Sequence, residues 1–170
     1  MKAINEELTL YDAASPTLRD GEVLVKVAAA GVNRGDLMQA AGKYPPPKGE
    51  SEIMGLECAG VIVDPGTTDR EQGEEVGCLL AGGGYAEEVV AHQAQILPLP
   101  DGFGLREAAA LPEVFATAWL NLFMEGNLRH IDGKGERALL HAGASGVGTT
   151  AIQLCRAFGH PCFVTVGSDS

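Results

Sequence analysis

Residues 138–166 read Ala138-Leu139-Leu140-His141-Ala142-Gly143-Ala144-Ser145-Gly146-Val147-Gly148-Thr149-Thr150-Ala151-Ile152-Gln153-Leu154-Cys155-Arg156-Ala157-Phe158-Gly159-His160-Pro161-Cys162-Phe163-Val164-Thr165-Val166. A short apolar strand over 138–141 runs into a glycine-rich turn. Thr149 to Phe158 then reads as a helix closed by Gly159, and Cys162 to Val166 as a second apolar strand. Strand, turn, helix, strand opens a βαβ unit, and two strands are too few for a parallel sheet. Four residues follow Val166, so the pattern is expected to be cut off.

Three motifs compete for the turn. A phosphate-binding loop, Gly-x-x-x-x-Gly-Lys-Ser/Thr, is met by Gly143, Gly148 and Thr150, but Thr149 stands where the lysine's point charge belongs. A nucleophile elbow, Gly-x-Ser-x-Gly, begins at Gly143-Ala144-Ser145 and ends on Val147, where the tight turn needs glycine. The dinucleotide fingerprint, Gly-x-Gly-x-x-Gly, reads here as Gly143-x-Ser145-x-x-Gly148. Small residues throughout let backbone N–H groups and the helix N-terminus approach a pyrophosphate, and Gly148 lets the helix pack close to the strand. This motif fits its strand–turn–helix–strand context; a glycine turn without a ligand is the plain alternative. At the end of the second strand, Gly167 leaves space for a ribose 2′-phosphate and Ser168 offers it a hydrogen bond. Asp169 offers instead the acid that binds a ribose 2′-hydroxyl. The lean is to NADPH.

Upstream the texture differs. Glu22 to Val32 starts with near-alternating valines, a strand running into a crowded interior. Asn33 is placed to cap a short helix, Arg34 to Ala41, that Gly42 ends. Tyr44-Pro45-Pro46-Pro47 is an extended loop. Strands are expected at 58–64, 75–80, 85–90 and 95–99, a small β-barrel or sandwich punctuated by glycine. Helices are expected at 105–110 and 113–124, with Pro112 in a first turn.

Composition narrows the function classes. The 170 residues carry 12 basic and 23 acidic side chains, a formal charge of −11, which argues against a nucleic-acid or anionic-membrane partner. The first seven residues contain no apolar signal region, and no apolar run approaches the roughly 20 residues of a bilayer span. Cys58, Cys78, Cys155 and Cys162 form no Cys-x-x-Cys pair and read as buried thiols in a reducing compartment, the cytoplasm by default. Glycine numbers 23, roughly twice the usual share of about 7%. Sharp turns and close ligand approach account for such an excess.

The ordered motifs Gly31-Val32-Asn33-Arg34-x-Asp36-Leu37, Tyr44-Pro45-Pro46-Pro47, Gly55-Leu56-Glu57, Leu79-Leu80-Ala81-Gly82-Gly83-Gly84-Tyr85-Ala86 and His141 to Gly148 resemble the zinc-independent quinone oxidoreductases. That branch of the medium-chain dehydrogenase/reductases includes a p53-inducible type, which also carries serine at the middle fingerprint place. The resemblance implies a mixed α/β chain, with a GroES-like β-barrel catalytic domain over 1–124. The first βαβ unit of an incomplete Rossmann domain would follow over 125–170. It implies NADPH-dependent reduction of quinones or related conjugated carbonyls by direct hydride transfer, with the substrate held between domains and a homodimer in a full-length parent.

By motif match, Asn33, Tyr44 and Thr117 would face nicotinamide and substrate. Ala142, Gly143, Ala144, Ser145, Gly146, Val147 and Gly148 would hold the pyrophosphate, and Gly167 and Ser168 the ribose phosphate. Tyr44 is the candidate for polarising the acceptor oxygen, or else a tyrosine buttressing the proline loop; Asn33 is equally a helix cap and Thr117 an ordinary helix residue. Hydride transfer to a quinone needs no strong protein acid, because solvent protonates the reduced oxygens. No zinc site is expected. The region Gly31 to Asp36 lacks cysteine, Leu56 stands before Glu57 where zinc relatives have histidine, and His92, His130, His141 and His160 are scattered as surface or strand-end residues. Two rival readings remain: an inert truncated fragment, and an enoyl or alkenal reductase of the same fold.

Overall fold

Nine residues from Glu22 to Ala30 form the longest strand of a computed structural model that describes residues 1–4, 8–131 and 134–167. The strands and helices run in the order β1 (Lys2–Ile4), β2 (Leu10–Asp12), β3 (Glu22–Ala30), α1 (Arg34–Ala40), β4 (Glu57–Asp64), β5 (Glu75–Leu79), β6 (Glu88–His92), β7 (Ile96–Pro98), α2 (Leu105–Ala108), α3 (Pro112–Trp119), β8 (His130–Ile131), β9 (Lys134–Gly135), β10 (Ala138–Leu140), α4 (Gly146–Ala157) and β11 (Cys162–Val164). The described residues divide into two compact units, Met1–Pro112 and Glu113–Ser170.

In the first unit, five strands make an antiparallel sheet of order β6-β3-β4-β5-β7, curled into a half-barrel. Val23 and Val25 alternate with more exposed neighbours and enter one core with Cys58, Ile62, Val76, Cys78 and Ile96. The central strand β4 is buried on both faces: Cys58 and Ile62 face that core, while Ala59 joins Ala108 and Ala109 of the segment that starts with α2. Methyl side chains there let the helix lie close to the sheet. Gly60 is required at the β3–β4 crossing, because a Cβ would run into the Lys26 carbonyl oxygen and stand 2.9 Å from Val25 Cγ1.

The second unit holds β10 and β11, paired parallel with Ala138 opposite Cys162 and Leu140 opposite Val164, joined through α4. Residues 113–124, grouped with the first domain on sequence, pack with this unit. Ala118 and Leu122 share a cluster with Ala151, Leu154 and Cys155 of α4. Where one helix was expected over 113–124, α3 stops at Trp119 and a π-helical turn, Leu120–Glu125, follows. It closes with the Gly126 N–H donating to Asn121 O at 2.9 Å. The expected strand at 85–90 begins only at Glu88; β1–β2 and β8–β9 form two further antiparallel pairs. Two histidines placed apart on sequence meet here. The rings of His130 and His160 lie edge to face with centroids 4.6 Å apart, and His160 is buried, not a surface residue.

The Gly60 contact gives a direct stability test. Gly60→Ala is expected to lower the unfolding free energy by about 1–3 kcal/mol through overpacking, read from denaturant melts. Leu139→Ala, at an exposed position, should cost less than about 0.5 kcal/mol.

Candidate functional site

Helix α4 starts three residues earlier than its apolar pattern, at Gly146, because Ser145 is its cap. Ser145 Oγ accepts from the Gly148 N–H at 3.0 Å, satisfying one of the donors that a helix N-terminus leaves unpaired. The turn before it is pinned to the second strand. Gly143 N–H donates to Thr165 O at 2.9 Å, and Ser145 N–H to Ala142 O at 2.9 Å. Ala142 takes a left-handed conformation, φ 56°, which is costly for a residue with a Cβ.

Two glycines of the fingerprint are demanded by backbone proximity. A Cβ on Gly148 would overlap the Ala142 carbonyl oxygen and stand 2.8 Å from Gly143 Cα; one on Gly143 would stand 2.6 Å from Val164 Cβ. Both are buried, while Ala142, Ala144, Ser145, Gly146 and Val147 are exposed. The first turn of α4 contains no acidic residue, so its positive end faces outward without a built-in counter-charge. This exposed ledge of small residues, running into the N-terminus of α4, fits a diphosphate. Gly167 is exposed and a Cβ there would meet nothing within 4 Å; Ser168 lies outside the described residues. Thr117 is half-buried on α3, its hydroxyl donating to Glu113 Oε1 at 3.2 Å.

In the first unit, Asn33 sits on a buried polar cluster that the motifs alone did not disclose. Its backbone N–H donates to Asp36 Oδ2 at 2.7 Å, the return half of a capping box, and its side-chain Nδ2 donates to Glu57 Oε1 at 2.7 Å. Tyr85 Oη donates to the same Asp36 oxygen at 2.8 Å. Asp36 and Glu57 are each 2% exposed, and Asp36 Oδ1 has no hydrogen-bond partner. Burial and the neighbouring Asp36 and Glu57 carboxylates push the Tyr85 phenol up from its ordinary value.

The three-glycine run explains how Tyr85 reaches this place. Gly83, Gly84 and Tyr85 N–H groups donate to Ile53, Gly55 and Met54 carbonyls at 2.7–3.1 Å. Side chains at Gly82 or Gly55 would strike backbone atoms of the opposing loop. Tyr44, in the proline loop, is 49% exposed, so the loop does not bury it as a packing residue. Asn33 and Tyr44 thus belong to one unit and the glycine turn, Thr117 and Gly167 to the other.

Among the described residues, no group of three or more His, Cys, Asp or Glu side chains is gathered to hold a metal. Cys58 and Cys78 face each other across β4 and β5 as free thiols, and contact with Cys78 followed by burial pushes the Cys58 thiol up. Cys155, also free, is pushed up by burial. No described helix is long and apolar enough to cross a membrane.

Residues 19–101 match the alcohol dehydrogenase GroES-like domain. A phenolphthiocerol synthesis polyketide synthase of Mycobacterium bovis is 41% identical over 150 residues, 87% of this chain and 7% of its own length. The quinone oxidoreductase of Thermus thermophilus, a structure determined also in complex with NADPH, superposes with a TM-score of 0.79 at 32% identity over 99% of this chain and 54% of its own. The CurK enoyl reductase superposes with a TM-score of 0.82 at 29% identity over 98% of this chain and 54% of its own. The fold is therefore mixed α/β, with a GroES-like domain and structural neighbours in the medium-chain dehydrogenase/reductase superfamily. The chain spans about half the length of those solved neighbours and a small part of the synthase.

Because the folded state keeps Tyr85 neutral, its stabilising contribution is complete below the unfolded value of 10.0 and is lost as pH rises above it. Wild-type stability should therefore fall at alkaline pH more steeply than that of Tyr85→Phe, as read from urea melts. Phenolate absorbance, compared with that of Tyr85→Phe, should show Tyr85 ionising above the ordinary tyrosine range.

Proposed function

We propose that the chain forms part of an NADPH-dependent, zinc-independent reductase of quinones or related conjugated carbonyls. The ledge at Ala142–Gly148 carries this reading: buried glycines bring main chain to main chain, and an uncompensated helix N-terminus lies open beside them. In the proposal, N–H groups of this ledge bind the cofactor's diphosphate, and Gly167 and Ser168 accommodate its ribose phosphate. Asn33 and Thr117 orient the nicotinamide, and Tyr44 places its hydroxyl at the acceptor's carbonyl oxygen. When bound, the cofactor supplies the hydride. This chain's residues bind, orient and polarise; protons for the reduced oxygens come from solvent.

The likeness to the Thermus thermophilus quinone oxidoreductase, determined also in complex with NADPH, supports both cofactor and acceptor class. The enoyl reductase and synthase similarities favour a second reading, reduction of a carbon–carbon double bond conjugated to a carbonyl. Both readings share the cofactor ledge and differ in the acceptor. The proposal also includes a GroES-like catalytic domain over 1–124, the first part of a Rossmann domain over 125–170, a cytoplasmic location and a homodimeric parent enzyme.

Turnover of NADPH with a simple quinone and with a simple conjugated enone separates the two acceptors. Faster quinone reduction is expected, and enone reduction alone selects the second reading. Val147→Glu tests the ledge itself. An acid in the first turn favours the helix but repels a diphosphate, so the thermal midpoint should hold or rise while the NADPH Kd rises roughly tenfold. Unchanged NADPH affinity in that variant would contradict the ledge as the diphosphate site.

A further inference from the structure

The four cysteines are scattered in sequence, yet the fold sets them in two facing pairs, one in each unit. Cys58 and Cys78 stand opposite each other on β4 and β5 inside the first core, neither with any exposed surface. Cys155 lies on the buried face of α4 beside Ala151 and Leu154. The chain then doubles back at once: the Phe158 N–H donates to Leu154 O at 3.0 Å and the His160 N–H to Cys155 O at 2.8 Å. Cys162 opens β11 opposite Ala138. Alternation along the two strands sends Leu139 and Phe163 outward, 61% and 59% exposed, and packs Ala138, Leu140 and Cys162 onto the α4 cluster. There the Cys155 and Cys162 thiols meet in a hydrogen bond.

The two pairs differ in access. Cys58, Cys78 and Cys155 are closed to solvent, whereas Cys162 is half-buried. Burial keeps Cys155 protonated, so Cys162 is the thiol of its pair that meets a reagent first, with a second thiol in contact to resolve the product.

We propose that Cys155 and Cys162 form a reversible dithiol–disulfide site oxidised by hydroperoxides. The Cys162 sulfur attacks the peroxide: an S–O bond forms, the O–O bond breaks, and the released hydroxide takes the Cys162 proton and leaves as water. The Cys155 sulfur then attacks the Cys162 sulfur. An S–S bond forms, the S–O bond breaks, and the departing hydroxide leaves with the Cys155 proton as a second water. Two thiols are oxidised by two electrons, and the peroxide is reduced by the same two. The bridge ties the last turn of α4 to the start of β11, and a dithiol reductant opens it again by exchange. This site is independent of the cofactor reading.

Mapping the bridge in the full chain tests the assignment. The folded chain is treated with hydrogen peroxide, its remaining thiols are alkylated, and it is cut with trypsin. Arg156 lies between the two cysteines, so peptides 138–156 and 157–170 stay joined only through a 155–162 bridge. Two of the four thiols should be lost, these peptides should run as one species, and dithiothreitol should separate them and restore every thiol. Cys162→Ser should keep all its thiols under the same treatment. Cys155→Ala should stop at a sulfenic acid on Cys162 that dimedone traps. A bridge that includes Cys58 or Cys78, a Cys162 bridge between two chains, or four free thiols after excess peroxide overturns the assignment, whether or not the chain binds NADPH.

Discussion

Where Gly148 passes Ala142, two stretches of main chain approach so closely that no Cβ fits between them. The rest of the candidate cofactor ledge follows from this contact. It sets the start of α4 against the end of β10, holds Ala142 in a left-handed conformation, and turns the exposed residues 144–147 outward. Ser145 Oγ accepts the Gly148 N–H and fixes the helix start, while its O–H stays a donor beside the main-chain groups. A site made of backbone dipoles attracts anions without charged side chains, which suits a chain as acidic as this one.

The buried polar cluster of the first unit works by a different logic. Asp36 and Glu57 are carboxylates taken out of water, tolerable because donors converge on them: the Asn33 main chain and amide, and the Tyr85 phenol. Their effect is to immobilise Asn33. Such a network is costly to leave partly satisfied, and Asp36 Oδ1 shows how near its limit this one lies. A half-buried amide held on two sides is suited to positioning a ligand, where small displacements carry large consequences.

Much of the fold was legible because its signals are local. The alternating valines at 23 and 25, the cap before Arg34 and the fingerprint between two apolar strands each depend on neighbours a few residues away. The π-helical turn at Leu120–Glu125 was not legible, because residues 113–124 have one continuous helical pattern and the change arises in tertiary packing. The apolar pattern places the start of α4 at Thr149, whereas the cap on Ser145 sets it at Gly146. Glu57 and Tyr85 were seen as parts of motifs, yet their partners lie 24 and 49 residues away in sequence, a distance no periodicity reports. Within the glycine run at 82–84, the first residue accommodates close contact between two loops.

The most direct measurement is a titration of isotopically labelled chain with NADPH, followed by backbone amide resonances. The account predicts that the largest shifts fall on residues 143–148. Amides at 143–148 that remain still while NADPH binds elsewhere, or that never move at any concentration, would contradict it.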